Sequence, residues 1–289
     1  MKVLIICNPI SGGGRAARLA GKLRELLEGS GHGVDLFLTS AAGEARRRAS
    51  QAGSDVDRIV SVGGDGTLNE VLNGLEDPSR IPLTQLATGT ANLLAHDLNL
   101  PYHAEGVHRL LEHGTIRRLD LGLVGERRFL MVVSSGFDAM VTLEAQGNRS
   151  GTMNYARWLP SIIKVLRDYK PPCFTVNVDD REPIEGQLVI VSNVRNYGGL
   201  FTVTDRAVCD SGYLDVCVLT RAALPGLVRA LVGGLTGGLS RSQGVVYVQG
   251  TRIGVTSDRP VPAELDGDPF GTTPIDITLQ PRQVPIVVP

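Results

Sequence analysis

Apolar positions along the first part of the chain follow two alternating periods. Residues 3–7 form an unbroken apolar run, after which Leu19, Leu23, Leu26 and Leu27 fall on one helical face. Val34, Leu36 and Leu38 alternate as in a strand, and a polar helical segment carrying Arg46, Arg47 and Arg48 follows. Residues 58–62 and 83–86 read as further strands, and helices are predicted over 67–75, 91–98 and 104–113. This alternation predicts a parallel sheet wound by helices. After about Asp120 the texture changes to short strand-like runs at 129–134, 174–178, 187–191, 214–220, 245–249 and 252–256, separated by Gly, Asn and Asp. That pattern predicts an antiparallel β domain with two helical insertions. One insertion carries Tyr155, Trp158, Leu159, Ile162, Ile163 and Leu166, flanked by Arg157, Lys164 and Arg167. The other carries Leu224, Leu227, Val228, Leu231, Val232 and Leu235. Either stripe suits a core contact or a lipid-facing surface.

Composition narrows the function without naming it. A length of 289 residues suits two domains, and the change of period places the boundary near 119–124. A net charge of −1 leaves no global basic field for nucleic acid, and 4% aromatic residues leave few stacking platforms for single strands. Cys7, Cys173, Cys209 and Cys217 show no metal-ligand spacing, and Cys7 and Cys217 sit inside apolar runs. Buried thiols of that kind imply a reducing, cytoplasmic setting. The apolar N-terminus runs into Asn8-Pro9 too soon for a signal peptide, and residues 222–240 hold Arg229, Pro225 and five glycines, unlike a bilayer helix.

The candidate chemistry lies in glycine-rich turns that follow three successive strands of the first domain. At the carboxyl ends of parallel strands such turns converge on one crevice. In Gly63-Gly64-Asp65-Gly66-Thr67-Leu68-Asn69-Glu70 the glycines let backbone N–H groups approach a polyphosphate, and Thr67 is expected to cap the following helix. Asp65, a carboxylate among phosphates, would hold Mg²⁺ or take a proton from an acceptor hydroxyl. Asn8-Pro9-Ile10-Ser11-Gly12-Gly13-Gly14 is a second loop that would face phosphate or merely turn into a helix, and no P-loop lysine is present. Thr88-Gly89-Thr90-Ala91-Asn92 is the third, with Thr90 either a phosphate ligand or a helix cap. Near the end, Glu264-Leu265-Asp266-Gly267-Asp268 suits either general-base work or a hairpin turn.

Taken in order, Asn8-Pro9-x-Ser11-Gly12, the 63–69 loop, Gly89-Thr90-Ala91-Asn92, Gly136-Phe137-Asp138-Ala139, Tyr197-Gly198-Gly199, Gly212-x-Leu214-Asp215 and Asp266-Gly267-Asp268 resemble the diacylglycerol kinase catalytic family, over nearly the whole chain. The resemblance implies a Rossmann-like α/β domain, akin to NAD kinases and phosphofructokinases, followed by a β-sandwich. The expected domains are residues 1–122 with a C-terminal return at 276–289, and residues 123–275 for the lipid substrate. It implies ATP and Mg²⁺ in an interdomain cleft, a lipid hydroxyl as acceptor, and transient peripheral contact with a membrane; a homodimer is allowed for. Nucleotide positions carried over are Asn8, Ser11, Gly12, Thr39, Gly63, Gly64, Asp65, Gly66, Thr67, Leu68, Asn69 and Thr90. Asp268 takes the place of the proposed catalytic acid, with Asp65 and Asp266 beside it in the catalytic set. A structural Mg²⁺ would fall on Val208, Ser211 and Tyr213, with Asp210 adjacent.

Two departures from the family pattern stand out. Asp268 replaces the usual Glu, and Ser211 replaces the usual Asp of the metal loop. Other readings share the Gly-Gly-Asp-Gly loop: a kinase acting on NAD or a sugar, and a nucleotide- and lipid-binding regulatory module without transfer activity. Apolar faces in the second domain favour a lipid over a polar acceptor.

Overall fold

The computed structural model describes residues 1–146, 158–199 and 201–289, so Tyr155 and Arg157 of the first insertion lie outside the described residues. It divides into two compact units, Met1–Leu119 with Arg282–Pro289, and Asp120–Pro281.

The first unit contains β1 (Lys2–Cys7), α1 (Arg15–Gly29), β2 (Gly33–Leu38), α2 (Glu44–Ser50), β3 (Arg58–Gly63), α3 (Asp65–Gly74), β4 (Leu83–Ala87), α4 (Leu93–Asp97) and α5 (Ala104–His113). Its strands are parallel in the order β2-β1-β3-β4. Val3 to Cys7 are wholly buried because helices cover both faces of the sheet, which is why β1 reads as a continuous apolar run rather than an alternation. On one face Val3, Ile5, Cys7, Val60, Val62 and Leu86 meet Ala16, Ala20, Leu23 and Leu27 of α1 and Ala104, Val107 and Leu111 of α5. The strand order reverses between β1 and β3, so their carboxyl-terminal loops open a crevice at a topological switch point, where open α/β sheets bind ligands.

The second unit follows β5 (Thr115–Val124), a strand whose first five residues belong to the first unit. It comprises β6 (Arg127–Phe129), β7 (Val132–Ser135), α6 (Phe137–Gln146), α7 (Leu159–Asp168), β8 (Phe174–Val178), β9 (Ile184–Gly186), β10 (Leu188–Ser192), β11 (Asn196–Tyr197), β12 (Phe201–Thr202), β13 (Leu214–Leu219), α8 (Leu224–Thr236), β14 (Val245–Gly250), β15 (Arg252–Ser257), β16 (Pro262–Leu265) and β17 (Asp268–Thr272). The last strand, β18 (Ile275–Val288), begins in this unit and ends in the first, where Ile286 pairs parallel with Leu83. Residues 276–281 therefore stay with the second unit, and the return to the first covers Arg282–Pro289.

Antiparallel strands β14-β13-β10-β7-β16-β17 form one layer. The start of β18 with β15, β8 and β9 forms the other. Phe174, Val176, Val178, Ile253, Val255, Ile275 and Ile277 from one layer bury against Val133, Val189, Val191, Leu214, Val216, Val218 and Leu265 from the other. This is a β-sandwich, with inward side chains alternating along strands such as β8. No helix of the described residues is long and apolar enough to cross a membrane.

Candidate active site

In the first unit the glycine turns do meet, through backbone. A Cβ built on Gly89 would stand 2.6 Å from Gly64 Cα, so these two loops touch main chain to main chain. Gly12, at φ +60°, is a left-handed residue whose Cβ would come within 2.6 Å of the Thr88 carbonyl. Thr88 is the hub. Its N–H donates to Gly63 O at 2.9 Å and its hydroxyl to Ser11 Oγ at 2.9 Å. Asn8 N–H donates to Val62 O at 2.9 Å, and Thr39 N–H donates to Cys7 O at 2.9 Å, placing Thr39 at the same end of the sheet.

Helix α3 starts two residues before the expected point. Gly64, extended at φ −87° and ψ −171°, is its N-cap and provides no side-chain cap, and Thr67 lies buried in the first turn. Early in a helix the N–H groups have no intrahelical acceptor. Gly66, exposed and with open space where a Cβ would be, leaves that end of α3 open to an anionic ligand. The next helix is also shorter than expected. Asn92, at φ +49°, closes a reciprocal pair with Gly89, Oδ1 accepting from Gly89 N at 2.9 Å and Nδ2 donating to Gly89 O at 2.9 Å. Regular α4 therefore begins only at Leu93. Thr90 stands exposed on the intervening turn.

Asp65 opens α3, and its Oδ2 accepts from Leu93 N at 3.1 Å, tying the second loop to the third. Burial and then the charge of Asp65 push the Tyr102 hydroxyl above its usual range, so this tyrosine stays neutral beside the carboxylate. Leu68 and Asn69 are buried and Asn69 Oδ1 accepts from Asn73 Nδ2 at 3.1 Å, so both serve the body of α3. Glu70, the loop's last acidic residue, is a brace. Its two carboxylate oxygens accept from Gly43 N at 3.0 Å and Ala45 N at 3.2 Å, at the start of α2.

In the second unit the carboxylates near the end of the chain occupy a hairpin. Leu265 pairs with Asp268 across Asp266 and Gly267, at φ +50° and +86°, a two-residue turn that suits the Asp-Gly pair. The turn is held on two sides. Asp266 Oδ1 accepts from Met131 N at 3.0 Å and Val132 N at 2.9 Å, and its Oδ2 accepts from Leu130 N at 3.1 Å. Glu264 Oε2 accepts from Gly267 N at 2.7 Å. Asp266 was expected to share the proton-accepting role. It is buried, and its carboxylate accepts three backbone N–H groups that hold the turn, as an anchor would. Asp268, partly exposed, follows directly on the pinned turn.

Behind the turn lies a buried polar group that the sequence did not assign to the site. Ser134 Oγ donates to Glu264 Oε1 at 2.9 Å across the β7–β16 pair, and Tyr197 hydroxyl donates to Asp138 Oδ2 at 2.6 Å. Burial, and then the charge of Asp138, push the Glu264 carboxyl up to about 8. Burial likewise raises Asp138 above the usual carboxylate range. The Tyr197 hydroxyl lies 2.6 Å from Asp138 Oδ2 and 3.4 Å from Glu264 Oε1, and two buried carboxyls on one hydroxyl favour retaining a proton between them. The Gly-Phe-Asp-Ala and Tyr-Gly-Gly motifs were visible in the sequence, but only the strand register brings Asp138, Tyr197 and Glu264 together.

The loop expected to hold a structural Mg²⁺ satisfies itself. Ser211 hydroxyl donates to Tyr213 O at 3.2 Å and accepts from Tyr213 N at 3.2 Å, while Ser211 N donates to Val208 O at 2.9 Å. Both expected carbonyl ligands thus have protein partners. Asp120, fully buried, is engaged by Gly212 N at 2.6 Å. Among the described residues no group of three or more His, Cys, Asp or Glu side chains could hold a metal. With Ser211 in place of a carboxylate, the loop offers a divalent cation one carboxylate, Asp210, and two carbonyls that each already accept a hydrogen bond, a weaker donor set, and the Ser211 hydroxyl closes the loop.

Comparison with known proteins agrees with this architecture. Residues 2–124 match the model of the diacylglycerol kinase catalytic domain, and residues 131–288 match that of the YegS C-terminal NAD kinase beta sandwich-like domain. A diacylglycerol kinase of Bacillus subtilis (strain 168) is 24% identical over 292 residues, covering 99% of this chain and 95% of its own. The fold is shared with a diacylglycerol kinase structure from Bacillus anthracis, at TM-score 0.75 and 20% identity, covering 100% of this chain and 97% of that one. More distantly it is shared with an NAD kinase from Archaeoglobus fulgidus in complex with ATP, at TM-score 0.53 and 15% identity, covering 99% and 92%. The chain thus carries a diacylglycerol kinase catalytic domain in its first part and belongs, through its second, to the family of the YegS C-terminal NAD kinase beta sandwich-like domain.

Proposed function

We propose that the chain transfers the γ-phosphoryl group of ATP to the hydroxyl of a lipid of the diacylglycerol class. The observation that carries this reading is the crevice at the switch point of the first unit. There Gly12, Gly64 and Gly89 keep side chains out of the way and Gly66 opens the N-terminus of α3. Backbone N–H groups so arranged suit a polyphosphate. Phosphoryl transfer asks chiefly for positioning and charge neutralisation. Asp65 is the carboxylate that would hold the Mg²⁺ of the ATP complex, which neutralises charge between phosphate oxygens. In the second unit Asp268 would accept the hydroxyl proton, with Asp266 and Glu264 holding its turn. A lipid acceptor is supported by relatives named diacylglycerol kinase and by the apolar surface of the second unit. Such an acceptor resides in a bilayer, so transient peripheral membrane contact follows.

The test is transfer of labelled phosphate from Mg²⁺-ATP to a panel of diacylglycerol, sphingosine, ceramide, phosphatidylglycerol and NAD. Label should enter diacylglycerol or a related lipid and be lost in Asp65→Asn. Transfer to NAD alone would overturn the lipid assignment. Nucleotide binding without any transfer would replace the kinase by a regulatory module.

A further inference from the structure

Helix α8 is set into the second unit the reverse way round from an ordinary surface helix. Leu224, Val228, Leu231, Val232 and Leu235 recur at helical spacing on one face, and each is about half exposed, from 49% for Leu231 to 58% for Leu235. The small residues face the protein instead. Gly233 and Gly234 are buried, with Cβ positions that would come within 3.1 Å of Leu239 Cα and 3.3 Å of Phe201 Cβ. A Cβ at Gly226 would meet the Arg221 carbonyl at 2.1 Å. These contacts fix the rotation of the helix. Turning it to bury the leucines would swing bulky side chains into spaces too tight for them. The outward apolar stripe is thus imposed by packing, and a helix in water has no ordinary reason to show one.

Charge identifies what covers it. Between Asp215 and Asp258 the chain has no Asp or Glu, but it has Arg221, Arg229, Arg241 and Arg252. Arg221, Arg229 and Arg241 are exposed on or beside α8, and none of them forms an ion pair among the described residues. Arg252 pairs with Asp180. An apolar stripe rimmed by unopposed arginines matches the interface of a bilayer whose headgroups are anionic. A second copy of this surface would instead bring like charges together.

We propose that α8 is the docking element that seats the second unit on an anionic lipid bilayer, its leucine and valine stripe entering the acyl boundary and its arginines meeting the headgroups. This rests on the lipid-kinase reading for its purpose but not for its evidence.

The test is co-sedimentation of the full chain, without nucleotide, with phosphatidylcholine vesicles and with vesicles containing phosphatidylglycerol. The wild type should bind the anionic vesicles, and Leu231→Ser with Leu235→Ser should weaken binding at least about tenfold. Arg221→Gln with Arg229→Gln should remove the preference for anionic vesicles. Both pairs lie on the surface, so thermal melting should not change. Both should also still phosphorylate a short-chain diacylglycerol dispersed without a bilayer, which separates docking from chemistry. Unchanged vesicle binding in the leucine variant would overturn the proposal, as would a wild type that binds no vesicles. So would a wild-type dimer that the leucine variant splits without altering vesicle binding, since the face would then belong to a second copy. Vesicle binding with no transfer to any lipid would leave docking intact and defeat the kinase reading alone.

Discussion

Replacing Asp266 by Asn should destabilise the second unit, and that outcome separates an anchor from a proton acceptor. Three N–H groups, of Leu130, Met131 and Val132, converge on this carboxylate at 3.1, 3.0 and 2.9 Å in a buried setting. Asn keeps the shape and tolerates the turn's φ of +50°. Its carbonyl can serve two donors in place of Oδ1, but its amide then presents a donor to Leu130 N–H, which is left without an acceptor. One lost charge-assisted bond plus one orphaned buried donor amounts to about 2–4 kcal/mol. Alanine orphans all three and should cost more, about 4 kcal/mol or beyond. The assay is urea unfolding followed by fluorescence of Trp158, the chain's one tryptophan, with hydrogen exchange at residues 130–132 as the local readout. The anchor reading expects a lower midpoint and faster exchange at those amides. A variant that unfolds within about 0.5 kcal/mol of the wild type yet transfers no phosphate would refute it, because a loss confined to chemistry would make Asp266 a proton acceptor.

Glu264 sets a pH dependence. Its folded value near 8 lies above the ordinary 4.5, so the folded state holds the proton more tightly, and stability present below about pH 4.5 is lost as pH rises towards 8. The loss should be on the order of a few kcal/mol and should be much smaller in Glu264→Gln, read from melting curves at pH 5 and pH 8.5; parallel curves for the two proteins would contradict the burial argument. Gly89→Ala drives a Cβ to 2.6 Å from Gly64 Cα and should weaken nucleotide binding at least about tenfold while costing about 1–3 kcal/mol of stability, as measured by calorimetric titration and melting. Removing divalent cations with a chelator should leave the melting temperature of the nucleotide-free protein within about 1 °C, because the 208–213 loop is closed by Ser211; a clear drop would show a structural cation after all.

Much of the fold was legible because burial leaves a period. The continuous run of β1, the 19-23-26-27 stripe of α1 and the alternation of β8 each report which faces are covered. The glycines at 12, 64 and 89 announced a phosphate-type crevice because positive φ and close backbone approach leave few alternatives to glycine. Less was legible where partners lie far apart in sequence. The Asp266 anchor spans 134 to 136 residues to its donors. Glu264 meets Ser134 at a separation of 130 residues, and nothing local in Glu-Leu-Asp-Gly-Asp distinguishes the base from the brace. The α8 stripe shows the same limit. Helical spacing established that six apolar residues share a face, but periodicity alone cannot say whether that face turns in or out.

The sequence by itself thus determined the strand–helix order, the sandwich that follows it, and the glycine loops, since these depend on the residue types at each position. Tertiary structure alone decided which carboxylates are held by distant backbone donors, and that α8 turns its leucines outward. Those outcomes depend on what each residue finds across the fold: backbone donors for Asp266, and for Gly233 and Gly234 of α8 a surface too close for a bulky side chain to face it.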